Sequence, residues 1–405
     1  MIPLKGFDDI LPPESHRWRT LLRAFDDLAE RYGYQPVLTP AVEATELFSR
    51  GVGEATEVVE KQMYTFVDQG DRSVTLRPEF TAGIVRAFVS QGAQGTLKVA
   101  TSGPAFRYEQ PQRGRRRQFF QVDLEYLGEE GAHADVEIID FCMRLFDEVG
   151  VPDVSLRLNS IGDAADRMEY RALLQAWLRE REGELSDDAR RRINTNPLRV
   201  LDSKVDDALV ADAPTPIEHL GEAAAGHFAA VRSGLDALGI AYELDPRLVR
   251  GLDYYNRTVF EVFSPAFEAA QSSLGGGGRY DPLAEMIGSS VPVPAVGVAL
   301  GCDRIVEAMP ELPGSTLDLF VVVIGDHLLD ATAWVGALRR SGLRVDWSPE
   351  RSVKAQFRAA DRSDAPSVAV VGDEWGEGEV TVRRLASGDE ERIPIQEVES
   401  WLQAR

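Results

Sequence analysis

The stretch from 103 to 128, GPAFRYEQPQRGRRRQFFQVDLEYLG, gathers side chains that can handle a phosphate and an amine together. Its middle, Gln110 to Arg117, holds four arginines, a proline and a glycine between two segments of strand-like composition. That composition predicts an antiparallel hairpin with a long cationic loop. On one flank Arg107 and Glu109, and on the other Gln121, Asp123 and Glu125, recur at period two, so each set shares a sheet face. A face carrying guanidinium and carboxylate groups suits a ligand with both phosphate and amine; a solvated hairpin laced with salt bridges is the other reading of the stretch alone. Glu79 and Thr81 fall at a strand-to-helix junction opened by Pro78, where a carboxylate and a hydroxyl either bind an ammonium or cap the helix. Arg250 precedes a segment rich in tyrosine and β-branched residues, LVRGLDYYNRTVFEVF, which reads as a loop entering a strand.

The elements that must position these groups follow from periodicity. Trp18, Leu21, Leu22, Phe25, Leu28 and Ala29 are spaced for a helix over 15–32, with Ser15 as its cap. PVLTPAVE then supplies an extended segment whose Pro40 suits an edge. The next segment predicts two strands joined by DQGD, then the helix after Pro78. Residues 134–150 predict a helix closed by Gly150, with Cys142 on its apolar side, and DVSLRLNSIG a strand. From about 165 to 235 the pattern is helical and charged, which predicts an inserted helical module. The run SSLGGGGRYD lacks a following Lys-Ser/Thr helix and so does not read as a phosphate loop; its glycines predict close backbone approach to a ligand, with Tyr280 as a wall. GVALGCDRI reads as a strand entering a helix, and after the linker at about 309–318 strands and helices alternate as in an α/β unit. Its strands are LFVVVIG, RVDWS, PSVAVVG and EVTVRRL, with helices around 328–341, 352–363 and 395–404.

Composition bounds the function. A chain of 405 residues exceeds one ordinary core, so two or three domains are expected. Its net charge of −22 opposes nonspecific attraction to nucleic acid, DNA included. Any polyanion contact must therefore be local, and Arg107, Arg113, Arg115, Arg116 and Arg117, facing only Glu109, are the residues to supply it. No apolar run approaches a bilayer span, the opening MIPLKGFDDILPPE lacks a secretory pattern, and Cys142 and Cys302 make no disulfide framework. A cytoplasmic, reducing location is expected, with no membrane partner and no zinc site. His219 and His227 lack partners at metal-ligand spacing, and His133 and His327 read as loop residues.

FRYEQPQRGRRRQFFQ resembles motif 2 of class II aminoacyl-tRNA synthetases, and with LVRGLDYYNRTVFEV and GGGRYD it resembles the histidyl-tRNA synthetase family. The resemblance covers nearly the whole chain and implies a mixed α/β fold. An antiparallel catalytic sheet with flanking helices and a helical insertion would occupy 1–316, and an α/β anticodon-binding domain 317–405. It implies a histidine–tRNA ligase using ATP and Mg2+, with L-histidine and tRNA(His) as substrates and a homodimer built through the first helix and strand.

Residue by residue, the resemblance implies Glu79 and Thr81 on the α-amino group, and Gln121, Glu125, Tyr254, Tyr255 and Tyr280 around the rest of histidine, Glu125 meeting the imidazole. Arg107 and Arg250 would stabilise the reacting anions, with Glu109, Arg115, Phe119 and Arg304 completing the ATP site. Gln110, Arg113, Arg116, Arg117, Lys354 and Arg358 would face tRNA, with Gln356 beside them; a solvated helix face is the plainer reading of the C-terminal three. Gln110, Phe120 and Asp303 depart from the family's usual arginine, histidine and glutamate. A synthetase-like regulatory subunit of histidine biosynthesis is the competing reading, and retention of Arg250 and of the C-terminal unit weighs against it.

Overall fold

A computed structural model describes residues 2–403 apart from 54, 55, 57, 111–114, 196, 202, 204, 268–271, 312–316, 350 and 351. The chain divides into two units, Met1–Pro310 and Glu311–Arg405. In the first, the strands are β1 (Gln35–Pro36), β2 (Val42–Ala44), β3 (Tyr64–Val67), β4 (Ser73–Leu76), β5 (Leu97–Phe106), β6 (Gln118–Leu127), β7 (Ser155–Ser160), β8 (Glu243–Leu244), β9 (Asn256–Phe263), β10 (Ser273–Arg279) and β11 (Ala295–Gly301). Eight of them form one sheet in the order β1-β5-β6-β11-β10-β9-β7-β8, while β2, β4 and β3 form a small sheet of their own. The large sheet is antiparallel except where its short edge strands β1 and β8 join β5 and β7.

Period-two alternation divides the large sheet into two faces. Val122, Leu124, Phe260 and Val298 pack on one side against the helices Glu14–Arg31, Ala132–Glu148 and Glu222–Leu238, which contribute Phe25, Phe141 and Leu235. Val99, Ala105, Leu127 and Val259 pack on the other against Phe80, Ile84 and the three tyrosines Tyr254, Tyr255 and Tyr280. Gln121, Asp123 and Glu125 share the parity of Leu127, so they stand on this second face. It is therefore the face that the functional side chains occupy.

Three sequence expectations change here. The first helix begins at Glu14 after Pro13, so Ser15 lies within it and is not the cap. The helical insertion is shorter than 165–235: its own core joins Tyr170, Leu174, Ile193, Val200 and Val210, whereas Phe228, Val231 and Leu235 belong to the core of the large sheet. Charge on the outer face of Glu222–Leu238 hid this allegiance, because a helix can be polar outside and still bury one apolar stripe. The glycine run is the central strand β10, paired with β9 and β11.

The second unit is a five-stranded sheet, β12 (Leu319–Val323), β13 (Val345–Trp347), β14 (Ser367–Val371), β15 (Glu379–Arg384) and β16 (Glu390–Pro394), in the order β13-β12-β14-β15-β16. The edge strand β16 was not expected, since EERIP is mostly charged; its pairing with β15 holds it. The last helix opens with a 3-10 turn, Ile395–Glu397, and continues as Val398–Gln403, where a helix around 395–404 is expected. Gln356, expected to face RNA, is buried: its amide accepts from the Val323 N–H at 2.8 Å and donates to the Val323 carbonyl at 2.9 Å.

One buried cation ties the large sheet to its helices. Arg279 of β10 and Asp135 of Ala132–Glu148 are both fully buried and ion-paired, and Arg279 also donates to the Glu129 carbonyl at 2.7 Å. His227 of Glu222–Leu238 lies 3.2 Å from the other oxygen of Asp135. Burial alone would raise the Asp135 pKa, but the His227 hydrogen bond and the Arg279 charge hold it below 3.8. That acid's stabilisation is present above its unfolded value and is lost as pH falls through the lower folded one. Arg279→Met is expected to lower unfolding free energy by about 3–5 kcal/mol at pH 7, because Asp135 stays buried without its cation. Guanidinium unfolding followed by circular dichroism checks this, a change below about 1 kcal/mol contradicting the assigned role.

Candidate active site

The hairpin of β5 and β6 brings Arg107 to the mouth of a cleft of about 240 Å³. Arg250, from the loop before β9, lines the same cleft, together with Glu79, Thr81, Glu109, Arg115, Phe119, Gln121, Tyr254, Tyr255 and Arg304. Arg107 Nε donates to the Pro78 carbonyl at 2.9 Å, and its guanidinium lies 5.2 Å from the Phe119 ring. Arg250 lies 3.4 Å from Glu261 and 5.8 Å from the Tyr255 ring centre. Two fixed cations from distant parts of the chain thus face one volume.

At one end the cleft is acidic and short of hydrogen bonds. Glu79 is 3% exposed; its Oε1 accepts from the Ala82 N–H at 3.0 Å, while its buried Oε2 has no hydrogen-bond partner among the described residues. The residue therefore satisfies a donor in the first turn of the helix Thr81–Ser90, as the capping reading has it, and keeps one oxygen over. Gln121 Oε1 is likewise buried without a partner among the described residues. Burial raises the Glu79 pKa, against the Ala82 hydrogen bond and the Arg107 charge.

Glu125 departs from expectation. It is 1% exposed and does not line the cleft; Thr81 donates to its Oε1 at 2.6 Å and the Tyr280 hydroxyl donates to its Oε2. Tyr280 also stands behind the cleft surface, 5.6 Å from Tyr254 between ring centres. Sequence parity placed Glu125 on the right face but could not show the hydroxyls that cover it. Burial pushes the Glu125 pKa up to about 8, despite the hydrogen bonds from Thr81 and Tyr280. Asp123, between Gln121 and Glu125, is fully buried, with both oxygens unpartnered among the described residues and its pKa raised well above the ordinary value, first by burial and then by Glu125 and Glu79. Its share in the acidic floor was legible only as parity.

At the other end arginines meet acids. Arg115 lies 3.5 Å from Glu109, and Arg304 donates to the Ser273 carbonyl. Arg116 does not face outward: it lies 2.9 Å from Asp303, 3.0 Å from Asp8 and 3.8 Å from Glu14, and it lines the cleft. Arg117 is also turned inward, donating to the Glu109 carbonyl at 3.2 Å and lying 3.9 Å from the Tyr108 ring centre. The expectation that these arginines face only Glu109 fails for Arg116, because Asp8, Glu14 and Asp303 are remote in sequence. Asp303 holds the hairpin a second way, accepting from the Phe120 N–H at 2.9 Å. Gln110 is exposed, Arg113 lies outside the described residues, and Lys354 and Arg358 are exposed one turn apart on Val353–Arg362.

Glycines make the cleft possible at two points. A Cβ at Gly297, opposite Glu125 in β11, would lie 1.5 Å from Glu125 Oε2, and one at Gly276 would lie 2.9 Å from Arg250 Nη1. The glycines of β10 thus clear room for a catalytic-face side chain and for the adjoining strands, a use that the sequence reading had assigned to a ligand.

Comparison with known proteins bears on this arrangement. Residues 6–305 match the family described as histidyl-tRNA synthetase, and residues 318–405 the family described as anticodon binding domain. A histidine–tRNA ligase of Geobacillus kaustophilus is 44% identical over 417 residues, covering 99% of this chain and 97% of that protein. One of Acidovorax ebreus is 44% identical over 420 residues, with 99% and 97% covered. The apo crystal structure of Staphylococcus aureus histidyl-tRNA synthetase is 34% identical, with a TM-score of 0.80 and both chains covered in full.

The titration of Glu125 gives a direct check. Its folded pKa of about 8 exceeds the unfolded 4.5, so deprotonation above 4.5 favours the unfolded chain and stability falls until pH passes the folded value. Glu125→Gln removes that ionisation. Relative to the native chain, the variant is expected to gain stability between pH 6 and pH 9, read from denaturation midpoints across about that range. A constant difference over it would contradict the raised pKa.

Proposed function

This chain belongs to the histidyl-tRNA synthetase family, and on that premise we propose that its cleft activates L-histidine with ATP and then charges the 3′ end of tRNA(His). The observation that carries the proposal is the meeting of Arg107 and Arg250 in one cleft with an unsatisfied carboxylate oxygen on Glu79. Glu79 Oε2 receives the histidine ammonium, supported by Thr81, and Gln121 supplies a second acceptor. Tyr254, Tyr255 and Tyr280 wall the ring pocket. Glu125 selects the ring by taking an imidazole N–H in place of a hydroxyl it now accepts from, so that analogues lacking that N–H leave it unmatched.

In the first step a histidine carboxylate oxygen attacks the α-phosphorus, the bond to the bridging oxygen breaks, and pyrophosphate leaves. No side chain becomes covalently attached. Arg107 and Arg250 offset the negative charge of the two approaching groups, and because they are already aimed at the cleft they need little reorganisation. Phe119 offers a stacking face for adenine, with Glu109 seating the nucleotide and Arg115 and Arg304 drawing off the outer phosphates. Mg2+ would arrive on the ATP phosphates, where it adds charge neutralisation. The acids Glu109, Asp303 and Glu261 are paired to Arg115, Arg116 and Arg250, which fits a metal held chiefly by the nucleotide. In the second step the terminal ribose hydroxyl oxygen attacks the histidyl carbonyl and AMP leaves.

Residues 317–405 are the proposed anticodon-binding part, with Lys354 and Arg358 as the exposed cations of one helix face. Gln110 and Arg113 of the hairpin loop are proposed to meet the acceptor end. Arg116 and Arg117, turned inward, are reassigned to holding the hairpin. A homodimer is supported by the exposed Leu38 (91%) beyond edge strand β1 and by Phe66 and Val67 (46% and 67%) on the small sheet. A cytoplasmic location is supported by two buried, unbridged cysteines.

Arg250→Ala is expected to cut histidine-dependent ATP–pyrophosphate exchange by at least about 10²-fold in kcat while circular dichroism stays native. Exchange within about threefold of the native chain would remove Arg250 from the reaction.

A further inference from the structure

Glu79 Oε2, Gln121 Oε1 and both carboxyl oxygens of Asp123 are buried at the acidic end of the cleft without a hydrogen-bond partner among the described residues. A primary ammonium brings three N–H donors, so Glu79 and Gln121 together leave one of them over. Thr81 is already engaged, its hydroxyl donating to Glu125 Oε1 at 2.6 Å. Strand register sets Asp123 beside the cleft. Its partner on β11 is Ala299, which lines the cleft, and Gln121, two residues along the same face of β6, lines it too. Ala299 puts no more than a methyl group between Asp123 and that volume. On the other side Asp123 pairs with Thr101 of β5, and burial, then Asp303 and Asp123, push the thiol of Cys302 well up, so it stays neutral.

The charges around Asp123 call for the same ligand. Glu125 on its own strand and Glu79 at the strand-to-helix junction oppose its ionisation, while Arg77, just past β4, and Arg107, just past β5, favour it. Arg77 is fixed by backbone oxygens: Nε donates to the Pro104 carbonyl and Nη1 to the Thr39 carbonyl, both at 2.9 Å, with the guanidinium 3.9 Å from the Phe80 ring centre. Three acids thus face two cations, and one ammonium evens the count. Burial, with Glu125 and Glu79 next, holds the Asp123 carboxyl well above the ordinary carboxylate range, and a cation placed against it reverses that balance. We propose that Asp123 is a specificity-determining residue for the amino acid: beside Glu79 and Gln121 it takes the third N–H of the ammonium, giving up its carboxyl proton to solvent as the ammonium binds. The carboxyl O–H bond breaks, its electron pair stays on the oxygen, and that oxygen accepts from the ammonium. The inference rests on the aminoacylation reading, which puts the amino acid at this end. Ligands without an ammonium are disfavoured, because all three acceptors then stay unmatched.

The test compares the native full-length chain with Asp123→Asn, which keeps the shape and removes the acid, and with Asp123→Ala, which removes the acceptor altogether. L-histidine is titrated into each by calorimetry at about pH 7.5, where free imidazole is mostly neutral, in two buffers of different ionisation enthalpy, so that the protons released on binding are counted. Histidine-dependent pyrophosphate exchange gives KM for histidine and for ATP. In both variants KM for histidine is expected to rise by about tenfold or more, the scale of one charge-assisted contact, while KM for ATP stays within about twofold and proton release falls by at least about half. Unchanged KM for histidine and unchanged proton release overturn the proposal. So does a matched rise in both KM values, which would make Asp123 a support of β6 with no share in the ammonium. A higher KM for histidine with proton release intact would put the released proton on Glu125 and overturn it as well. Absence of exchange in the native chain, with histidine still bound and a proton still lost through Asp123, would defeat the aminoacylation reading and leave this inference standing.

Discussion

A carboxylate can lie against a β-sheet only where the neighbouring strand leaves it room. In β6 that carboxylate is Glu125, and the register with β11 sets Gly297 opposite it, where any Cβ would overlap Oε2. A slip of one residue would send Glu125 into the apolar packing of Val122 and Leu124. Gly276 of β10 makes the corresponding space for Arg250. The small residues of β10 and β11 are thus complements of two charged groups carried by other elements, and the cleft depends on that register being kept.

The two ends of the cleft handle charge in opposite ways. At the acidic end Glu79, Asp123 and Glu125 are buried close together, and burial raises the pKa of each. Among the described residues Glu79 Oε2, Gln121 Oε1 and both Asp123 oxygens are left without hydrogen bonds, a polar demand that an ammonium or an N–H donor can meet. At the other end, Arg115 and Arg116 are paired with Glu109 and Asp303. Their acids keep the arginines oriented, so that an anion entering there exchanges one set of charged partners for another. In the reading proposed above, this difference tells an amino acid from a nucleotide by where charge is unmet and where it is already balanced.

The fold supports this division through buried polar ties. Arg279 pins β10 to Ala132–Glu148, Asp303 pins the helix Cys302–Ala308 to the hairpin, and Thr81 pins the helix Thr81–Ser90 to β6. Each tie joins a strand of the cleft to an element outside the sheet. Such contacts are weak contributors to net stability but costly to break from one side, which makes them specific rather than merely adhesive.

Local chemistry alone was enough to recognise the hairpin, the parity of Gln121, Asp123 and Glu125, the loop that carries Arg250 and the alternation of the C-terminal unit, because strand period and turn residues act over a few positions. Long-range order decided the rest. Arg116 read as an outward cation because Asp303 and Asp8 are far from it in sequence; Glu125 read as open because the hydroxyls of Thr81 and Tyr280 reach it only once three separate segments pack together. The helix Glu222–Leu238 looked like part of the insertion until its apolar stripe met the helix Ala132–Glu148. Which side chains could do chemistry is written in residue type and spacing, whereas whether each is exposed, paired or sealed depends on neighbours that only the folded chain brings within a few ångströms.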